Sequence, residues 1–197
     1  MQMTNTIADV FRPGDRTRGI IYDAIIVICG SLILCLSAQV KVYLPISPVP
    51  ITGQTFAVLM LAALLGSRRG VLAMIAYLIE GASGLPVFAG GIGPATLIGP
   101  TGGYLFGFIA VAYVVGRLAE MGWDRWVITT IAAMLAGEIV LYTFGVCWLA
   151  IMTNIRTALV IGLYPFIVGD ILKIALAAAV LPAGWKLLNC LKTKDTQ

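Results

Sequence analysis

Two charges three residues apart in an otherwise apolar stretch stand out as the pair best placed to do chemistry. They are Asp170 and Lys173 in Gly169-Asp170-Ile171-Leu172-Lys173. On a helix, i,i+3 spacing puts both on one face. An ionised aspartate only accepts hydrogen bonds and a lysine only donates them, so together they suit a ligand that offers both functions. Each charge costs roughly 2.5–3.5 kcal/mol at the middle of a membrane helix, which makes such residues functional candidates by default. The alternative is a self-neutralising pair that welds helices together. Glu80 and Glu138 are the other carboxylates in apolar runs. Glu80 opens a glycine-rich stretch and could meet a ligand or a loop amide. Glu138 could pair with Lys173 or carry a proton. Gln54, with Thr52, follows a triple-proline segment and adds a polar candidate.

Other chemistries are excluded. The chain has no histidine, so a Ser–His dyad, an HExxH zinc site and a histidine relay cannot be built. No G-x-x-x-x-G-K-[ST] segment is present, so ATP-driven work needs a partner. Cys29, Cys35, Cys147 and Cys190 form no C-x-x-C pair and read as buried apolar filler, not as a metal site or disulfides. Thr101-Gly102-Gly103-Tyr104 is followed by Leu105, where a potassium filter needs glycine.

The elements that must position these residues are membrane helices. Of 197 residues, 60% are apolar and only 11% charged, with a mean hydropathy of +0.99. Soluble domains run near 25% charged. The reading is an all-α integral membrane protein, and the net charge of +4 reports cytoplasmic loops, not a nucleic-acid partner. Residues 1–19 form a cytoplasmic N-terminal segment, partly disordered; 20–187 hold the membrane domain; 188–197 form a cytoplasmic tail. Spans are predicted at Ile20 to Val42, Ile51 to Gly66, Gly70 to Glu80, Gly103 to Arg117, Trp126 to Met152 and Pro165 to Lys186. The third is short, about half the core thickness. Lys and Arg favour cytoplasmic loops. Six crossings with both termini cytoplasmic place ten Lys and Arg inside and two outside, against six and six if the third segment does not cross.

Under this topology the unusual loops share the outer face. The residue before each proline of Pro45-Ile46-Ser47-Pro48-Val49-Pro50 is pushed out of the α region, so that loop is extended. Gly81 to Gly103 carries eight glycines, three prolines and no charge. Loops this long are usually functional or disordered. Leu85, Val87, Phe88, Leu97 and Ile98 want burial, so a cap over a cavity is expected.

These segments resemble the biotin-specific substrate-binding component of energy-coupling-factor vitamin transporters, the BioY family. The resemblance runs from about Ser37 to Lys186. It is carried by Ser37-Ala38-Gln39, Pro48-Val49-Pro50-Ile51-Thr52-Gly53-Gln54-Thr55, Leu65-Gly66-Ser67-Arg68-Arg69-Gly70, Gly84-Leu85-Pro86-Val87-Phe88-Ala89-Gly90-Gly91, Gly99-Pro100-Thr101-Gly102-Gly103-Tyr104 and the Asp170–Lys173 segment. It implies a multi-pass protein of the bacterial cell membrane that captures biotin on its outer face. Its partners would be a transmembrane coupling subunit and two ATPase subunits, and it would have no catalysis, metal or cofactor of its own. Asp170 and Lys173 carry over as binding residues. The family's docking pattern for the coupling subunit, alanine-xxx-alanine on the first helix, falls by spacing on Ser31 and Cys35, both small though neither is alanine.

Biotin offers two ureido N–H donors, a ureido carbonyl, an apolar ring and chain, and a carboxylate. Asp170 suits the N–H groups and Lys173 an oxygen, ureido or carboxylate; Phe88 and Tyr104 could pack on the ring. Nanomolar binding asks about 0.8 kcal/mol of each of its ~16 heavy atoms, below the ~1.5 ceiling. The alternative function is a self-sufficient ion-coupled carrier for a small organic anion or vitamin, with Asp170, Glu138 or Glu80 as proton carriers. No inverted repeat is evident, although such carriers often have one.

Overall fold

The computed structural model describes residues 6–194; residues 1–5 and 195–197, at the ends of the expected N-terminal segment and tail, lie outside them. Helix α1 (Ile7–Val10) precedes α2 (Arg16–Gln39), whose N-cap Asp15 accepts from the Arg18 N–H. Strands β1 (Lys41–Val42) and β2 (Ile51–Thr52) pair antiparallel around the proline loop, Lys41 opposite Thr52. Then come α3 (Gln54–Ala82), α4 (Ala95–Ile98), α5 (Gly102–Glu120), α6 (Val127–Met152), α7 (Ile155–Gly162) and α8 (Ile167–Lys194). Among the described residues, five helices are long and apolar enough to cross a membrane: Arg16–Gln39, Gln54–Ala82, Gly102–Glu120, Val127–Met152 and Ile167–Leu191.

Helix α3 is broken at Gly66, whose φ of 82° and ψ of 174° are not helical. Gln54 Nε2 donates to the Tyr77 hydroxyl at 2.6 Å, although 23 residues of unbroken helix would span about 34 Å. A Cβ on Gly70 would lie 3.4 Å from Ala62 Cα. The chain therefore doubles back at Gly66, with arms 54–65 and 67–82 side by side. The turn falls at the end of the expected second span, Ile51 to Gly66, on a backbone that only glycine tolerates. The carboxylate of Glu120, at the end of α5, accepts from Ser67 N–H (2.8 Å) and Ser67 Oγ (2.7 Å). It thereby satisfies donors that the start of the second arm leaves unpaired. Helix α5 passes this turn so closely that a Cβ on Gly116 would sit 2.4 Å from Ser67 N.

The N-terminal segment is ordered where it is described. Arg69 reaches Asp9 of α1 and Asp23 of α2, each at 2.7 Å, and Tyr22 donates to the Ala8 carbonyl at 2.9 Å. Over residues 6–18 these bonds tie α1 under the turn. Other boundaries also move: α2 ends at Gln39, before the strand pair, and α8 continues through the expected tail to Lys194. A short helix, α7, occupies what read as loop. Cys29, Cys147 and Cys190 are exposed, not buried, because they sit on the outer face of the bundle, where an apolar run serves a membrane instead of a core.

The core lies between α3, α5 and α6, where small residues allow close approach. Leu59 and Val115 crowd Gly137, and Trp148 crowds Gly103. The end opposite the Gly66 turn is closed by the proline loop, the glycine-rich loop and α7.

Candidate functional site

Helix α8 starts just after Pro165, and Asp170 lies in its first turn, the amide bonded to the Phe166 carbonyl at 2.9 Å. Lys173 follows one turn deeper, its Nζ 3.0 Å from Asp170 Oδ1. Both are largely buried. Lys173 also donates to Thr55 Oγ1 at 2.5 Å, and Tyr142 of α6 donates to Asp170 Oδ2. Three helices thus meet at one ion pair, in which both charged groups are paired and hydrogen-bonded, as a low-dielectric site demands.

Above this floor is a hollow of about 50 Å³. Its walls include Gln54, Phe88, Tyr104, Tyr142, Asp170 and Lys173. Five of the six substrate-binding candidates therefore come together: Asp170, Lys173, Gln54, Phe88 and Tyr104. Gln54 is fixed by its bond to Tyr77, whose hydroxyl donates to the Val87 carbonyl at 3.2 Å. Phe88 meets Tyr77 edge-on at 5.4 Å and lies so close to Gly81 that a Cβ there would be 2.0 Å from its ring. Tyr104 donates to the Gly162 carbonyl at 2.7 Å, stands edge-on to Tyr142 at 6.4 Å, and fits its ring into the notch left by Gly145.

Glu80 does not join them. Its carboxylate accepts from Ser31 Oγ at 2.7 Å and from Cys35 Sγ at 3.3 Å, and it is absent from the walls of the hollow. The donors to Glu80 are the two docking candidates, Ser31 and Cys35. Ser31 is fully buried against this chain's own Glu80, and Cys35 is half-buried beside it. Thr55 and Tyr142 are the polar residues the sequence reading missed. Thr55 had a faint signal, lying next to Gln54; Tyr142, one tyrosine in an apolar helix, had none.

The roof is stitched together from several sides. Tyr43 donates to the Ala89 carbonyl at 2.8 Å, joining the proline and glycine-rich loops. Ser47 donates to the Ile161 carbonyl at 2.6 Å, and Trp148 to the Gly99 carbonyl at 3.0 Å. Ligand pockets typically measure about 300–1,000 Å³, so side chains around the hollow must shift to admit a ligand.

A buried ion pair under a semi-apolar roof, at one end of a bundle of membrane-length helices, defines a membrane protein that encloses a small polar molecule. The profile of the BioY family matches residues 4–190. The chain is 44% identical over 140 residues to the biotin transporter BioY of Thermotoga maritima, covering 70% of this chain and 81% of that one. It is 38% identical over 158 residues to the biotin transporter BioY of Rhizobium etli, covering 76% and 84%. Among solved structures, the S-component for biotin from an ECF-type ABC transporter superposes with a TM-score of 0.77 at 25% identity, over 88% of this chain and 95% of that one. The chain belongs to the BioY family.

Proposed function

We infer that this chain is the biotin-binding membrane subunit of a biotin uptake transporter. It is a transporter component, not an enzyme, and biotin is its cargo, not a cofactor. The observation that carries the reading is the Asp170–Lys173 pair at the floor of the capped hollow, in a chain whose relatives are biotin transporters. Asp170 accepts from the ureido N–H groups and Lys173 donates to an oxygen of the ligand. Gln54 adds a polar contact, and Phe88 and Tyr104 pack on the apolar ring. Binding exchanges the Tyr142 and Thr55 contacts for ligand contacts, so the site trades one satisfied network for another.

Energy comes from a coupling subunit and two ATPase subunits, since no phosphate-binding loop exists in this chain. Six crossings with both termini cytoplasmic, in a bacterial plasma membrane, complete the proposal. The doubling back at Gly66 supports that count: it sets Arg69 beside Asp9 and Asp23, and Arg117 beside Glu120 at the same turn. The purified chain in detergent is expected to bind labelled biotin saturably. Unlabelled biotin should displace it; thiamin and riboflavin should not. Absence of binding in a folded preparation overturns the reading.

A further inference from the structure

The hollow above Asp170 and Lys173 is charged at its floor and neutral at its roof. The two floor residues lie 3.0 Å apart, so one end of a ligand meets both. A ureido group sets two N–H donors beside one carbonyl, which matches an acceptor and a donor placed side by side. With biotin as the cargo, on which this inference rests, the carboxyl end then lies toward the roof, a bicyclic ring and four methylenes away.

No cation waits there. Among the described residues, Lys173 is the one Lys or Arg in the walls of the hollow. Residues 81–103, the glycine-rich part of the roof, contain no charge. Lys41 of β1 and Arg156 of α7 stand outside the walls. What the roof offers instead is two hydroxyls. Thr96 of α4 and Thr101, the residue before α5, both line the hollow. A Cβ on Gly90 would lie 3.9 Å from Thr96 Cγ2 and 3.4 Å from Thr101 Oγ1, so the two share one corner. Thr96 is only 8% exposed, yet among the described residues its hydroxyl has no hydrogen-bond partner. Thr101 caps α5 without a side-chain bond. The Gly102 N–H already donates to the Gly99 carbonyl, and those of Tyr104 and Leu105 to the Thr101 carbonyl, so most of the start of α5 is spent.

A hydroxyl both donates and accepts, so it serves a carboxamide as readily as an acid. An ionised carboxylate enclosed without a cation of its own carries a desolvation cost that a neutral amide avoids. We propose that the hollow reads the carboxyl end of its ligand as a neutral group, through Thr96 and Thr101, and therefore takes neutral carboxamides of biotin as well as biotin itself.

The test is equilibrium competition on the purified full chain in detergent. Labelled biotin is displaced by unlabelled biotin or by biotinamide, which matches the acid in size and shape but has no charge. Biotinamide should compete no more than about threefold less well than biotin, because no charge-assisted bond is lost. A cation or a helix start that held the carboxylate would make the amide at least about tenfold weaker, and that result overturns the proposal. Thr96→Val and Thr101→Val should each weaken both ligands alike, by about fivefold, the share of one hydrogen bond. A loss confined to free biotin, or no loss in either folded variant, overturns it too. Failure of biotin itself to bind removes the cargo reading and this inference with it; binding of biotin without the amide removes this inference alone.

Discussion

Lys173 of α8 donates to Thr55 of α3 at 2.5 Å across 118 residues of sequence while holding Asp170 at 3.0 Å. The lysine is thus positioned before any ligand arrives, which spares binding the cost of ordering a long side chain. Asp170→Asn removes the charged acceptor and should weaken biotin binding about 10- to 100-fold, the range of a hydrogen bond to a charged group. Lys173→Arg keeps the charge and should lose less. Equilibrium binding of labelled biotin ranks the two; unchanged affinity in folded Asp170→Asn protein would remove the residue from the site.

Gly66 tests the chain reversal. A Cβ there would lie 3.0 Å from both Glu120 Oε1 and Thr6 Cγ2, on a backbone at φ 82°. Gly66→Ala should destabilise the fold by about 1–3 kcal/mol. Gly14→Ala, where a Cβ meets nothing within 4 Å, is the control. Thermal midpoints of the two variants decide the matter.

Tyr43→Phe removes the bond from the proline loop to Ala89. A single hydrogen bond is worth about 1 kcal/mol, so biotin should dissociate up to about fivefold faster, and the fold should lose no more than that one bond. Stopped-flow release reads this directly.

Burial pushes the Asp9 carboxyl up, but Arg69 and Thr6 outweigh it and hold it below its ordinary value. A lowered carboxylate contributes stability above its unfolded pKa and loses it as the pH falls through the folded one. Asp9→Asn should therefore narrow the gap in thermal midpoint between pH 6 and pH 3. With Asp9 partly exposed, the effect is about 0.5–1 kcal/mol.

Glu138 is buried beside the site on α6, and neither carboxylate oxygen has a hydrogen-bond partner in the structure. Glu138→Met, of similar volume, should stabilise the protein by about 1–3 kcal/mol by removing an unsatisfied polar group. Biotin binding should be retained. Lost uptake with binding intact would give the carboxyl a part in transport.

The floor of the site was legible because charges in apolar helices are rare: Asp170 and Lys173 announced themselves. Gln54 and Phe88 were legible through the proline- and glycine-rich segments that surround them. Orientation was not. Nothing in the spacing of Glu80 says that it turns toward Ser31 and Cys35 instead of the hollow, because a carboxylate's choice among donors depends on how two helices are rotated. The break in α3 was legible, since the expected second span ends at Gly66, where the backbone reverses. The partners of Arg69 were not: its contacts with Asp9 and Asp23 depend on how α1 and α2 pack against the turn.

Gly145 and Tyr104 also constrain how this sequence can change over generations. A Cβ at 145 would stand 2.2 Å from the Tyr104 ring, so no larger residue enters there while the ring stays in place. The ring cannot shrink without vacating a wall of the hollow and releasing the Gly162 carbonyl. Divergence at these two positions must therefore proceed in a fixed order, with 104 yielding first, and each such path passes through an intermediate with a wider hollow.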